Sequence, residues 1–292
     1  MIALMLIFVF TFAFAKYRIE LVSKGYQHEF WRTVEMGAIK AADDYDVHIN
    51  FIGPEKESEI GKQVGMMENA INKRVDAIAL ASLDVNALVP VVKKAVKAGI
   101  PVVMFDSGIG EDGIAGGLAK TFIATVNENA GGKAADALAK LISEKGTVGV
   151  VAHNAGTSTA IGRRDGFLKG IKKYSKIKVL EVQYSDGDPQ KALNIAQDMM
   201  TANPKLAGIF ATNEGSTIGV GQAIKAANKK GKVKLIGFDS SERELDLLKK
   251  GIMQGMVIQD PFNMGYLSVK MAVDVLNGKT IDKRVDTDSN TK

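Results

Sequence analysis

An α/β protein of two doubly wound parallel-sheet lobes joined by a multi-strand hinge is what the chain predicts, on three observations. From Lys16 onward, short β-branched or aromatic runs alternate with amphipathic stretches, as repeated βα units around parallel sheets require. The 292 residues exceed the usual size of a single domain. No low-complexity linker interrupts them, which favours several crossing strands over two beads on one string.

The first strand is read over Tyr17–Val22, followed by a helix over about Glu29–Asp44 that opens near Phe30-Trp31. A second strand, Val47–Ile52, ends at Gly53-Pro54, and a helix runs over about Glu57–Asn72. The apolar strand Asp76–Ala81, a helix over Asn86–Ala98 closed by Gly99, and the strand Pro101–Phe105 come next. Connections of this length allow the right-handed crossovers that parallel strands need. The strand Thr121–Thr125 leads into a long helix over about Glu128–Glu144, which opens a second set of units. There the strands Thr147–Ala152, Lys178–Gln183, Ala207–Ala211, Val233–Phe238 and Gly255–Ile258 alternate with helices starting near Ser158, Pro189, Ser216 and Glu242. A last helix, about Phe262–Leu276, should return to the first sheet, because it needs a sheet to cover. Residues 16–126 with 260–280 are thus expected to form the N-terminal lobe, and 127–259 the C-terminal lobe with the tail 281–292. The hinge is expected near Val126-Asn127, near Gln259-Asp260 and at a third crossing after Gly278.

Residues 1–15 are almost purely apolar and end Ala13-Phe14-Ala15 before Lys16, which reads as a secretory signal with a small-x-small cleavage site. The run is shorter than the ~20 residues that span a bilayer. No Lys or Arg precedes it, a departure from the usual signal, and a buried first strand or an uncleaved anchor is the competing reading. The absence of Cys excludes disulfides, thiolate nucleophiles, Cys-based zinc sites and a lipid-modified cysteine, and points to a freely diffusing periplasmic protein. A net charge of +5, with Lys interleaved among Asp and Glu, gives no aromatic-studded basic stripe for nucleic acid. After Val285 the chain ends within a few residues, shorter than a terminal strand with an extension would need.

In open parallel sheets ligands bind beyond the carboxyl ends of the strands. Strand ends deliver Ser23, Asp106, Asn127, His153, Asn213, Asp239 and Gln259; Phe30 and Trp31 open the first helix, and Arg163 lies early in a later one. Carboxylates, amides and a guanidinium beside flat rings complement a sugar, whose hydroxyls both donate and accept and whose C–H face is apolar. Each residue has a plainer reading. Phe30 and Trp31 could pin a helix to the core, Asp106 and Asp239 could close turns, and Asn127 and Asn213 could be helix caps. Arg164 competes with Arg163 for the site, and His153 reads more as a satisfied rim residue than as a ligand contact.

The chain resembles the periplasmic ribose- and galactose-type binding proteins of ABC importers over about Tyr17–Gly278, a type I periplasmic-binding-protein-like fold. The segments that carry the resemblance are Val22-Ser23 followed by Phe30-Trp31, the run from Pro101 to Asp106, the run from Gly156 to Phe167, Gly208 to Asn213, Gly237-Phe238-Asp239, and Gln259-Asp260-Pro261. The resemblance implies that Phe30 and Trp31 stack on a sugar, that Asp106 and Arg163 take hydroxyl pairs, and that Asn213, Asp239 and Gln259 complete the polar ring, with His28 near an Asn of the ribose binders. Two departures count against ribose itself: Ser107 stands where those proteins have Arg, and Asp186-Gly187-Asp188 where they place a Phe between two acids. A different, bulkier monosaccharide or polyol is therefore expected, captured by hinge closure and passed to a permease by a monomer without cofactor or metal. A chemoreceptor or sensor is a further candidate partner.

Two rival classes were weighed. Gly108-Ile109-Gly110-Glu111-Asp112-Gly113 spells a dinucleotide fingerprint, but two acids occupy the place of the pyrophosphate and no helix opens at the glycines. A sugar-sensing repressor of the same clamp type would carry a DNA-reading headpiece, for which a first strand at Tyr17 leaves no room. No P-loop, H-E-x-x-H or G-x-S-x-G motif is present, and His28, His48 and His153 lack metal-ligand spacing, so no enzymatic activity is expected.

Overall fold

A computed structural model describes residues 16–291 as two α/β lobes, so the expected signal segment 1–15 lies outside the described residues. The first lobe opens with β1 (Arg18–Val22), α1 (Glu29–Tyr45), β2 (His48–Ile52), α2 (Ile60–Asn72), β3 (Ala77–Leu80), α3 (Val89–Lys97), β4 (Val102–Phe105) and β5 (Phe122–Ala124). The second contains α4 (Asn127–Leu141), β6 (Lys145–Ala152), α5 (Ser158–Ile171), β7 (Lys176–Val179), β8 (Gln183–Tyr184), α6 (Pro189–Ala202), β9 (Leu206–Ala211), α7 (Glu214–Ala226), β10 (Lys234–Phe238), α8 (Glu242–Lys249) and β11 (Gly255–Ile258). The chain closes with α9 (Pro261–Leu276), β12 (Arg284–Asp286) and β13 (Asn290–Thr291).

One sheet runs β12-β5-β4-β3-β1-β2 and the other β13-β11-β10-β9-β6-β7, with β8 beside β6. All described pairings between strands are parallel except β11 with β13. The predicted fold class is therefore observed. Alternate residues of each strand feed opposite faces: Ile78 and Leu80 pack toward α2 and α3, while Ala77 and Ala79 pack toward α1 and α9. Strands buried on both faces read as continuous apolar runs, which is why they stand out in the sequence. The chain passes between the sheets after β5, after β11, and between β12 and β13. The tail thus divides: Arg284–Asp286 pairs with β5 of the first sheet, and only Asn290–Thr291 joins the second, where the sequence reading had placed residues 281–292 together. A three-residue edge strand carries too little hydrophobic pattern to announce its partner.

Each lobe is tightened by a helix pair crossing at glycines. A Cβ on Gly37 of α1 would sit 1.9 Å from the Phe262 carbonyl oxygen of α9, and one on Gly166 of α5 would sit 1.9 Å from the Glu128 carbonyl oxygen of α4. Only hydrogen fits where the backbones approach this closely. In the second lobe, side chains cap the starts of α5 (Thr157), α6 (Asp188), α7 (Asn213) and α8 (Ser241). In the first, α1, α2 and α3 begin without a side-chain cap from the residue at their start.

Candidate functional site

The carboxyl ends of the two sheets face each other across a narrow cavity. Its wall includes His28, Phe30, Trp31 and Asp106 from the first lobe and His153, Arg163, Asn213, Asp239 and Gln259 from the second, all picked out in the sequence. Lys24 and Glu57 also line it and were missed. Lys24 follows Ser23 at the end of β1, so the strand-end rule applied one residue further would have found it. Glu57 lies several residues past β2 in a loop, where only the folded chain brings it back.

Three predicted residues stand outside the wall. Ser23 is buried, its hydroxyl donating to the Gly25 and Ile52 carbonyls at 3.2 and 3.1 Å, so it closes the β1 turn. The Ser107 hydroxyl donates to the Ser82 carbonyl, away from the cavity. Asn127 accepts from Arg163 Nε at 2.8 Å and donates to the Thr125 carbonyl at 3.1 Å, and so orients the arginine.

The first-lobe wall is a charged array built around an indole. Trp31 is 1% exposed, packs edge-on against Phe30 and Phe105, and donates Nε1–H to Glu57 Oε1 at 3.1 Å. It is both core and wall, so the two readings of this aromatic are compatible. Lys24 Nζ stands 3.0 Å from Asp106 Oδ2 and 5.7 Å from the Trp31 ring centre. Burial would raise the Glu57 pKa, yet Lys24, His28 and the Trp31 N–H together hold it below the usual carboxylate value.

The second-lobe wall is held by neutral hydrogen bonds and one stacked cation. The Arg163 guanidinium lies 3.7 Å from the Phe238 ring centre and donates to the Thr212 carbonyl at 2.8 Å. Arg164 turns outward to Asp165 and the Tyr184 hydroxyl, which decides between the two arginines. Asp239 accepts from Gln259 at 2.7 Å and from the Glu214 N–H at 3.1 Å; burial raises its pKa, with Arg163 opposing. Asn213 caps α7 through Ser216 N–H at 2.9 Å while facing the cavity, so it too fills both suggested roles. His153 is 1% exposed and its ring nitrogens pair with Thr212 and Thr159 at 2.8 and 2.9 Å, so it is an inner wall residue, not a rim one. Burial, with Lys24 and Arg163 nearby, lowers its pKa well below the ordinary value and keeps it neutral.

Two buried oxygens at this wall have no partner in the protein, Glu57 Oε2 and Gln259 Oε1, while Asp106 Oδ2 is held in the ion pair with Lys24 at 3.0 Å. Buried acceptors left unmade are costly, so two such acceptors on one cavity call for a guest rich in donors. The departure at residues 186–188 is also explained locally. Asp188 caps α6 and Asp186 pairs with Lys191 at 2.7 Å, while a Cβ on Gly187 would lie 3.3 Å from Asn213 Nδ2 and 3.4 Å from Glu57 Oε2. Gly187, at a positive φ of 71°, packs closely against these two wall residues, so the segment brings no ring to the wall. Among the described residues, no group of His, Asp and Glu is arranged to hold a metal ion, and no helix is long and apolar enough to cross a membrane.

Comparison with known proteins agrees with this fold. The profile of the periplasmic binding protein domain matches residues 19–280. The D-allose-binding periplasmic protein of Escherichia coli is 32% identical over 275 residues, 93% of this chain and 88% of that one. A D-ribose/D-allose-binding protein of Pseudomonas aeruginosa is 30% identical, over 93% of this chain and 86% of its own length. Among solved structures, an ABC transporter solute-binding protein from Agrobacterium vitis with bound D-fucose superposes with a TM-score of 0.91 at 39% identity, covering 94% of each chain. A carbohydrate transporter solute-binding protein from Agrobacterium radiobacter with D-arabinose also gives 0.91, at 36% identity over 96% of this chain and 95% of that one. Two parallel-sheet lobes closing on one polar cavity, and a family match across nearly every described element, place this chain in the periplasmic binding protein domain family.

Proposed function

We propose that the chain is the substrate-binding subunit of an ABC importer, a periplasmic protein that captures one monosaccharide between its lobes and hands it to a permease. The observation that carries the reading is the pair of unpartnered acceptors, Glu57 Oε2 of the first lobe and Gln259 Oε1 of the second, drawn onto one cavity. A sugar that touches both walls stabilises only the closed arrangement, so binding is converted into shape. Phe30 and Trp31 supply the apolar face, Arg163 and Asn213 donate, and Asp106, held by Lys24, accepts. The wall performs binding and no catalysis: it contains no nucleophile paired with a base, and His153 is committed to two threonines. The guest differs from ribose, because Ser107 is turned away from the cleft and Gly187 supplies no ring to it.

A thermal-shift and calorimetric panel of D-allose, D-fucose, D-arabinose and D-ribose tests this. A sugar at about a hundredfold over its Kd should add about 2.7 kcal/mol of stability. A panel in which no monosaccharide stabilises the protein sinks the reading, and a tight preference for D-ribose alone sinks the argument from Ser107 and Gly187.

A further inference from the structure

Two helix starts near the mouth of the cleft are completed from the opposite lobe. The N-cap residue His28 gives α1 no side-chain cap, and the Phe30 N–H in its first turn donates instead to Glu214 Oε2 of the second lobe at 3.2 Å. In α8, Ser241 and Glu244 form a capping box that satisfies the Glu244 and Ser241 N–H groups, and the Glu242 N–H donates to Glu29 Oε2 of the first lobe at 3.0 Å. Glu29 opens α1 and Glu214 opens α7, so each lobe supplies a carboxylate to a helix start of the other. Orphan amides of a first helical turn carry partial positive charge and favour a carboxylate. Neither glutamate lines the cavity between the sheets; both line a neighbouring pocket with Thr33 and Ser240, which shares Phe30, Asp239 and Gln259 with it.

We propose that Glu29 and Glu214 are positioning residues forming a reciprocal interlobe latch, each capping a helix of the opposite lobe and thereby holding the closed arrangement without touching the guest. The inference builds on the clamp reading above and adds to it a means of control. The contacts exist only when the lobes meet, so closure is what buries Glu214. From the first lobe it faces His28, whose Nδ1 is 4.0 Å away, and Glu29; from its own lobe it faces Asp239 and Glu244, with Glu57 beyond His28. Burial lowers the pKa of His28, with Glu57 and Asp239 opposing. The surroundings of Glu214 are therefore acidic, and burial followed by Asp239 pushes it up to about 7 despite the amide hydrogen bond.

The sign follows from linkage. A group whose pKa rises on closure takes up a proton on closing, so its contribution to closure is complete below the ordinary carboxylate pKa and is lost as pH rises through about 7. A protonated carboxyl still accepts the Phe30 N–H through its carbonyl oxygen, so the latch survives protonation while the repulsion from Asp239 is removed.

The test is calorimetry with D-allose at about pH 5 and about pH 8 on the wild type, Glu214→Gln and Glu29→Ala, with scattering of the sugar-free proteins alongside. The wild type should bind about tenfold more tightly at the lower pH. Glu214→Gln, neutral at both and still an acceptor, should show a shallower pH slope and bind more tightly than the wild type at the higher pH. Glu29→Ala, altering a half-buried residue outside the core, should weaken binding severalfold at both and serves if Glu214→Gln does not fold. A Glu214→Gln protein that keeps the full slope or binds more weakly at the higher pH overturns the latch, as does unchanged affinity in Glu29→Ala. Should D-allose give no heat with any form, the sugar reading has failed separately, and scattering decides the latch: a radius that expands with pH in the wild type but not in Glu214→Gln supports it, and one indifferent to both overturns it.

Discussion

The same three residues close a central strand in both lobes and are held there differently. Phe105-Asp106-Ser107 follows β4 and Phe238-Asp239-Ser240 follows β10, and both aspartates take a left-handed backbone, with φ of 53° and 87°. Each donates its N–H to the neighbouring strand at 2.9 Å, Asp106 to Ile123 and Asp239 to Val257. A non-glycine residue in this region is strained, and that strain aims the carboxylate outward past the sheet edge. The surroundings then diverge. Asp106 is paired with the buried ammonium of Lys24, whereas Asp239 rests on a neutral amide and a backbone N–H. One backbone device thus presents two carboxylates of different character: the first is part of a buried charge pair that its own lobe needs, and the second is free to respond to what enters the cleft.

Substitution should separate the two. Asp106→Ala is expected to have the largest effect on stability, about 3–5 kcal/mol in chemical denaturation, because the buried Lys24 loses its ion-pair partner and keeps only the Thr159 hydroxyl at 3.2 Å as a hydrogen-bond acceptor. A midpoint unchanged from the wild type would remove the distinction between the lobes. Asp239→Ala should instead cost about 2–3 kcal/mol of sugar affinity by calorimetry with a smaller loss of stability, since only Gln259 and an amide lose their acceptor. Gly166→Ala should destabilise the second lobe by about 1–3 kcal/mol, as α4 and α5 are forced apart, and the loss should be seen as a lowered Tm. Arg164→Ala, which breaks a surface pair with Asp165, should change either measurement by less than about 1 kcal/mol, in contrast to its neighbour in the cleft.

How far these features were legible depends on their range along the chain. The aspartates were found because a strand end is a local signal: an apolar run stops, a polar residue follows, and parallel-sheet topology says where it points. Phe30 and Trp31 were found at a helix start for the same reason. Glu57 escaped because nothing local marks it; it reaches the cavity through contacts with Trp31, 26 residues away. Ser23, Ser107 and Asn127 were placed at the site because a strand end fixes position but not side-chain direction, and their hydroxyls and amide turned toward nearby carbonyls or toward Arg163.

The sequence by itself determined the layer architecture, because alternation of apolar runs and amphipathic stretches is dictated by burial on a sheet and needs no knowledge of partners. It also determined most of the residues around the cleft, since in a parallel sheet the ends of the strands share one edge. Only the tertiary structure decided which sheet the short tail strand joined, which of two adjacent arginines faced inward, and that Glu29 and Glu214 meet helix starts of the opposite lobe. Those outcomes rest on contacts between segments far apart in the chain. Their energies come from proximity and desolvation that exist only after the lobes have formed and met.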